Sequence, residues 1–302
     1  REYLPDGNFR LTTITHPHGS LNDRLGSAVA IDGNLVAMTA PGAGKAYACV
    51  HVGLNCNLDV LPNLPSGTPT SIDISGDYLA LGSTGINGRG EVHIYQRSGN
   101  DWVFDIKLTS GSIQANHFFG HTLSFSANKL AIGAPGIDVD GVGRAGAAYV
   151  YQRNGVGAWN ALGARIVLDE PTVDDYFGSS LSLDDRRIVV VADNTNAGVH
   201  VFDDTTGAGN WTHQTVLTSD VAQAVDSNER SQLVVIDGEE IIFGRPYAVA
   251  NGLPNGGAVS AFESVQAVRK MWLSNTNVAE NTVPNTVVGA LTALDVSRDE
   301  TL

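Results

Sequence analysis

Two cysteines, eight histidines and several paired acids are the side chains of this 302-residue chain whose types could do chemistry. Cys49 and Cys56 are the only thiols, and they flank a short turn in AYACVHVGLNCNLDV. If two adjacent strands meet there, the sulfurs face each other across the hairpin and close a small loop. Two buried free thiols are the alternative. The C-x6-C spacing is too wide for a redox C-x-x-C pair, and two thiols alone cannot complete a zinc site. The closest histidine groupings are His16 with His18 and His117 with His121. The second pair straddles a Phe-Gly corner instead of one helix face, so no zinc motif is supported and surface or packing roles are expected. Asp174-Asp175, Asp184-Asp185 and Asp203-Asp204 fall in predicted turns, where paired acids are expected to be solvated. General acid–base work needs carboxylates opposed in a cleft, which adjacency along a turn does not supply. No Ser sits in a G-x-S-x-G elbow, and no Gly-rich loop leads into a helix. Asn210-Trp211-Thr212 is a glycosylation sequon at the foot of a predicted outer strand.

Those residues must be positioned by short strands. The chain has 34 Gly and only 2 Met, and it lacks the long Ala/Leu/Glu/Lys stretches of a helical protein. Four tryptophans recur at Trp102, Trp159, Trp211 and Trp272, spaced 57, 52 and 61 residues apart, each leading a strand-like run. Phe9 and Leu58 are the expected equivalents. A second element, a small-residue strand entered through a Gly corner, recurs as LGSAVAID at 25–32, FGHTLSFS at 119–126, FGSSLSLD at 177–184 and VGALTALDV at 288–296. TSIDISGD at 70–77 and RSQLVVIDG at 230–238 are copies without the glycine. Each copy continues into a hydrophobic run, a Gly/Asn/Asp-rich loop and a third strand, as in KLAIGAPGIDVDGVGRAGAAYVYQR at 129–153.

Four antiparallel strands per unit, repeated at this length, predict the blades of an all-β propeller. The innermost strand is expected to be small because it lines a crowded channel. Blades are expected over residues 26–68, 69–118, 119–176, 177–229 and 230–287. A sixth, formed by 288–302 together with 1–25, closes the ring and so pairs otherwise open strand edges. A seven-bladed ring of which this chain is a fragment is the alternative.

The phrases FGHTLSF…LAIGAPG at 119–136 and FGSSLSL…IVVVADN at 177–194 resemble the FG-GAP repeats of integrin α-subunit heads and of secreted bacterial proteins. The strict motif occurs once, as Phe119-Gly120 with Gly133-Ala134-Pro135, and erodes elsewhere to LG with TAP or FG with VAD. The resemblance implies calcium loops of alternating carboxylates in some blades. Here only Asp138, Asp140 and Gly141 of IDVDGVG match that pattern, and a loop chosen for turn geometry is the competing reading. Calcium at Asp138 and Asp140 is therefore an expectation of the resemblance alone.

The net charge of −14, from 32 acidic against 18 basic residues with no basic cluster, argues against nucleic acid and anionic membranes as partners. No apolar run approaches the roughly 20 residues that span a bilayer. The chain opens with Arg1, so it reads as a processed or partial chain. The resemblance implies an extracellular, non-catalytic binding or adhesion module that presents loops to a protein or glycan ligand. Self-assembly into a surface or extracellular polymer is a variant. A lectin-like propeller and a polysaccharide lyase or glycosidase are the alternatives.

Overall fold

The computed structural model describes residues 13–15, 19–51, 56–83, 85–109, 114–155, 157–194, 197–218, 233–246, 258–263, 271–273, 291–295 and 300–301. Phe9, His16 and His18 lie outside them, as do most of the residues assigned above to the closing blade.

Blade 1 contains β1 (Val29–Asp32), β2 (Leu35–Ala40), β3 (Lys45–Val50) and β4 (Asp59–Val60), hydrogen-bonded in that order. Blade 2 contains β5 (Pro69–Ser75), β6 (Tyr78–Ser83), β7 (Glu91–Ser98) and β8 (Asp101–Leu108). Blade 3 is built from β9 (Leu123–Ser126), β10 (Lys129–Ala134), β11 (Ala147–Arg153) and β12 (Trp159–Ala161). Blade 4 follows with β13 (Leu181–Asp184), β14 (Arg187–Ala192), β15 (Gly198–Asp203) and β16 (Thr212–Leu217). β17 (Leu233–Asp237), β18 (Glu240–Arg245) and β19 (Ala258–Glu263) form a fifth sheet. The strand pairings within blades 1 to 4 and between β17 and β18 are antiparallel, and the first strands β1, β5, β9, β13 and β17 neighbour one another in succession. This is the blade arrangement of a β-propeller. Helix among the described residues is scarce, as in the single turns Pro41–Ala43 and Ile86–Gly88. Residues 263–302 form a separate unit in which β20 (Met271–Leu273), β21 (Leu291–Asp295) and β22 (Glu300–Thr301) pair in that order.

The blades pack face to face through alternating apolar residues. Ala30, Leu35 and Ala37 of blade 1 meet Ile72, Ile74, Leu79 and Leu81 of blade 2, and Val189 and Val191 of blade 4 meet Val234, Ile236 and Phe243 of the fifth sheet. Each fully buried aliphatic side chain contributes about 1.5–3 kcal/mol. Trp102 and Trp159 carry this packing outward from the first residues of the outer strands. Trp159 meets Tyr78 of blade 2 edge-on at 6.0 Å, and Trp102 packs with the apolar residues of blade 1. Their indole Nε1 atoms, like that of Trp211, are buried without a hydrogen-bond partner among the described residues. Trp102 and Trp159 are thus packing groups.

The Phe-Gly and Gly-Ala-Pro halves of the motif meet across a blade boundary. A Cβ on Gly133 would lie 2.2 Å from the carbonyl oxygen of Gly178, and one on Gly82 would lie 2.2 Å from that of Gly120. The corner glycines of blades 3 and 4, Gly120 and Gly178, therefore rest on the second-strand glycines Gly82 and Gly133 of the blade before. The corner phenylalanines Phe119 and Phe177 are fully buried.

The polar side chains of the inner strands make hydrogen bonds between blades. The first strand of each blade has one edge without a strand partner, and its N–H groups need acceptors. Side chains of the preceding blade supply them. Asp73 Oδ2 accepts the N–H of Phe125 at 2.7 Å, Ser124 Oγ that of Leu183 at 3.0 Å, and Ser182 Oγ that of Ile236 at 3.2 Å. Two residues further along, Asp32, Ser126 and Asp184 accept the N–H groups of Gly76, Asp185 and Gly238 in the next blade's turn.

Candidate functional site

Cys49, the penultimate residue of β3, is joined to Cys56 by a disulfide with a Cα–Cα separation of 5.5 Å. The bond closes the outer connection of blade 1, away from any cleft described below.

Asp138 and Asp140 belong to one tight hairpin. Val139 and Val142 exchange both backbone hydrogen bonds, and Asp140-Gly141 form the tip with φ of +51° and +86°. Two consecutive positive φ values are what an Asp-Gly turn supplies. Asp138 Oδ1 accepts the N–H of Arg144 at 2.8 Å, and the Arg144 Nε donates to Asp174. The loop thus carries its own guanidinium cation, and one of its two carboxylates is already hydrogen-bonded to its own backbone. Calcium takes six to eight oxygens, several of them charged, and this donor set does not fit it. Among the described residues no three His, Cys, Asp or Glu side chains are gathered at metal-binding distance.

The paired acids are less solvated than their turn positions suggested. Asp175 and Asp204 are fully buried. Asp175 accepts the backbone N–H and the hydroxyl of Thr172, and Asp204 accepts the N–H groups of Gly207 and Gly209 and the hydroxyl of Thr206. Burial pushes the Asp204 carboxyl up, but the donors from Gly209, Thr206 and Gly207 outweigh it and hold it below the ordinary range. These acids lock turns. Asp203 instead forms a bidentate pair with Arg187, at 2.8 and 3.0 Å, and Arg187 reaches on to Glu239 in the fifth sheet.

The polar side chains that do converge lie on the outer side of the junction between blades 3 and 4. Beyond β12 the chain stays against β11, with Ile166 and Ala148 exchanging both backbone hydrogen bonds. This holds Arg165, Val167, Asp169 and Glu170 along one wall. The other wall comes from β15, with His200 and Phe202, from Asn210 and Trp211 just before β16, and from β16, with Thr212 and His213. Two adjoining hollows of about 520 and 200 Å³ lie between them, sharing Val167, Asp169, Phe202 and His213. Asn210 is exposed at the rim. Trp211 is half-buried, unlike Trp102 and Trp159, which are 7% exposed.

His200 is buried and its neighbour His213 is exposed. His200 is 4% exposed, with its ring edge-on to Phe177 at 5.8 Å. A register shift between Val201 and Phe202 places His213 opposite Phe202, on the face that His200 occupies. The rings then lie near-parallel, with Nδ1 of His200 3.3 Å from Nε2 of His213. The closest groupings along the sequence, His16 with His18 and His117 with His121, did not include this pair. The recurring strand pattern, which aligns His200 with His93, was the available signal.

Residues 102–151 match a family model described as FG-GAP repeat. No curated protein matches the chain. A solved structure titled "Structure of YjhT" is similar at 14% identity and a TM-score of 0.45, over 78% of this chain and 79% of that one. The blade arrangement is that of a β-propeller, residues 102–151 of it match the FG-GAP repeat, and one blade junction carries a polar cleft.

Proposed function

We propose that the protein is an extracellular, non-catalytic binding module whose ligand is received in the cleft between blades 3 and 4. The observation that carries this reading is the convergence there of Arg165, Asp169, Asn210, Trp211, Thr212 and His213. Both signs of charge, an amide, a hydroxyl and an aromatic ring surround one hollow, a set that suits a polar ligand on a rigid scaffold. The net charge of −14 favours neutral or cationic ligands. The Cys49–Cys56 disulfide supports an oxidising, extracellular setting. Arrays of glycans and of extracellular proteins, probed with the wild-type chain and with Arg165→Glu, test it. A ligand that the wild type binds and the variant loses supports the cleft, and a panel without any binder contradicts the reading.

A carbohydrate ligand is favoured by one further observation. Trp211 is the least buried of the three described outer-strand tryptophans and stands beside Asn210 in the cleft, where an indole face and an amide could hold a sugar. A glycan array without a binder counts against that variant alone.

A further inference from the structure

We propose that His117 is a pH-sensitive latch at the entry to blade 3: neutral, it closes the turn that leads into the Phe119-Gly120 corner, and protonated, it releases that turn. The latch stands apart from ligand binding in the cleft and does not need it.

The chain enters blades 1, 3 and 4 through the same turn. The N–H of Ser20 is accepted by Asp23 at 2.5 Å, that of Thr172 by Asp175 at 2.5 Å, and that of Gln114 by Nδ1 of His117 at 3.0 Å. In each case the acceptor lies three residues after the donor and three before the corner glycine, Gly26, Gly178 or Gly120. The residues flanking the acceptor have positive φ in all three blades: 70° and 53° at Asn22 and Arg24, 64° and 54° at Asn116 and Phe118, 68° and 46° at Asp174 and Tyr176. Left-handed backbone at an arginine or an aromatic residue is strained, so it persists only where its surroundings hold it. The side-chain acceptor supplies part of that hold. The turn is also seated on its own blade, because the backbone oxygens of Asp23 and His117 accept the N–H groups of Gly42 and Gly136 at 3.1 and 3.2 Å.

Blades 1 and 4 close the turn with a carboxylate, whose oxygens accept a hydrogen bond in either protonation state. Blade 3 closes it with an imidazole, which accepts through Nδ1 only while that nitrogen carries no proton. The neutral ring therefore keeps its proton on Nε2. A second proton turns Nδ1 into a donor that faces the donor N–H of Gln114, and the bond that closes the turn is lost. The charged groups acting on the ring are Asp138 of the hairpin and Arg165 beyond β12. Burial lowers the ring's proton affinity, Asp138 opposes this and Arg165 adds to it, with a net depression below the ordinary value. Folding thus favours the neutral ring. The stability tied to it is fully present above the ordinary value of 6.5 and is lost as pH falls below that, through the folded value.

The other two blades provide the control. His117→Asn offers a side-chain carbonyl that does not titrate, and His117→Asp installs the residue that blades 1 and 4 carry. The full-length chain and His117→Asn are compared by histidine-selective 15N NMR and by amide exchange at about pH 7.5 and about pH 5. In the wild type His117 should be the Nε2–H tautomer and titrate below 6.5. Exchange of the Gln114 amide, corrected for its intrinsic pH dependence, should speed about tenfold at the lower pH, the scale of one lost hydrogen bond. In His117→Asn it should stay constant, as should the Ser20 and Thr172 amides in both proteins. If His117→Asn fails to fold, His117→Asp takes its place. A His117 that carries its neutral-state proton on Nδ1, or an acid response equal in wild type and the folded variant, overturns the proposal.

Discussion

Asp73 of blade 2 accepts the backbone N–H of Phe125 in blade 3 at 2.7 Å while also accepting that of its own neighbour Ile74 at 2.9 Å. One side chain thus completes the inner edge of the next blade. Ser124 and Ser182 repeat the contact at the two following junctions.

This carboxyl makes stability depend on pH. Burial pushes Asp73 up to about 6, with Asp32 adding to the rise and the two backbone donors opposing it. Folding therefore favours the protonated form. The stability tied to this proton is fully present below the ordinary value of 3.8 and is lost as pH rises through about 6. Asp73→Asn has no such titration. The melting temperature of Asp73→Asn relative to wild type should rise between pH 4 and pH 7.5, by the equivalent of up to roughly 3 kcal/mol. A difference that stays flat across that range contradicts the assignment.

The junction glycines leave no room for a side chain. Gly133→Ala would place its Cβ 2.2 Å from a backbone oxygen of the next blade, so blades 3 and 4 must separate. A loss of about 3 kcal/mol or more is expected by urea denaturation. Gly155→Ala, with nothing within 4 Å, should change stability by less than about 0.5 kcal/mol. Equal effects would show that the contact is not tight.

The disulfide stabilises the outer connection of blade 1. Reduction, or Cys56→Ser, should cost about 2 kcal/mol in thermal or urea unfolding. An unchanged transition in the presence of a thiol reductant would show that the bond carries no such role.

A closed ring implies that both end faces of the described array are covered. Val29 and Ile31 of blade 1 are 67% and 72% exposed, and Leu233 and Val259 of the fifth sheet are 69% and 74% exposed. These side chains lie opposite the residues that pack on blades 2 and 4. If residues 288–302 with 1–25 supply the closing blade, Ile31→Lys and Val259→Lys should each lower stability by roughly 1–3 kcal/mol. Unchanged stability in both variants would contradict closure.

The scaffold was legible because its signals repeat. Phe119-Gly120 and Phe177-Gly178, and the tryptophans at 102, 159 and 211, recur at blade spacing, and periodic residues identify a unit without any knowledge of contacts. The role of the inner-strand acids and serines was not legible in the same way. Ser182 and Ile236 are 54 residues apart, and only the lateral placing of two blades reveals that one satisfies the other. The cleft was hidden for a related reason. Asp169 and His213 come from different blades, and His213 reaches His200 only through a register shift that spacing does not announce. Asp138 and Asp140 were legible as a loop motif, but Arg144 and its hydrogen bonds give that loop its meaning.

Ligand binding at the junction of blades 3 and 4 is the central claim, and titration of the best ligand from the glycan and protein arrays tests it most directly. Affinity should fall at least tenfold in Arg165→Glu and in Trp211→Ala, with both variants retaining a cooperative melt. Binding that persists unchanged in both variants would contradict the assignment of this cleft.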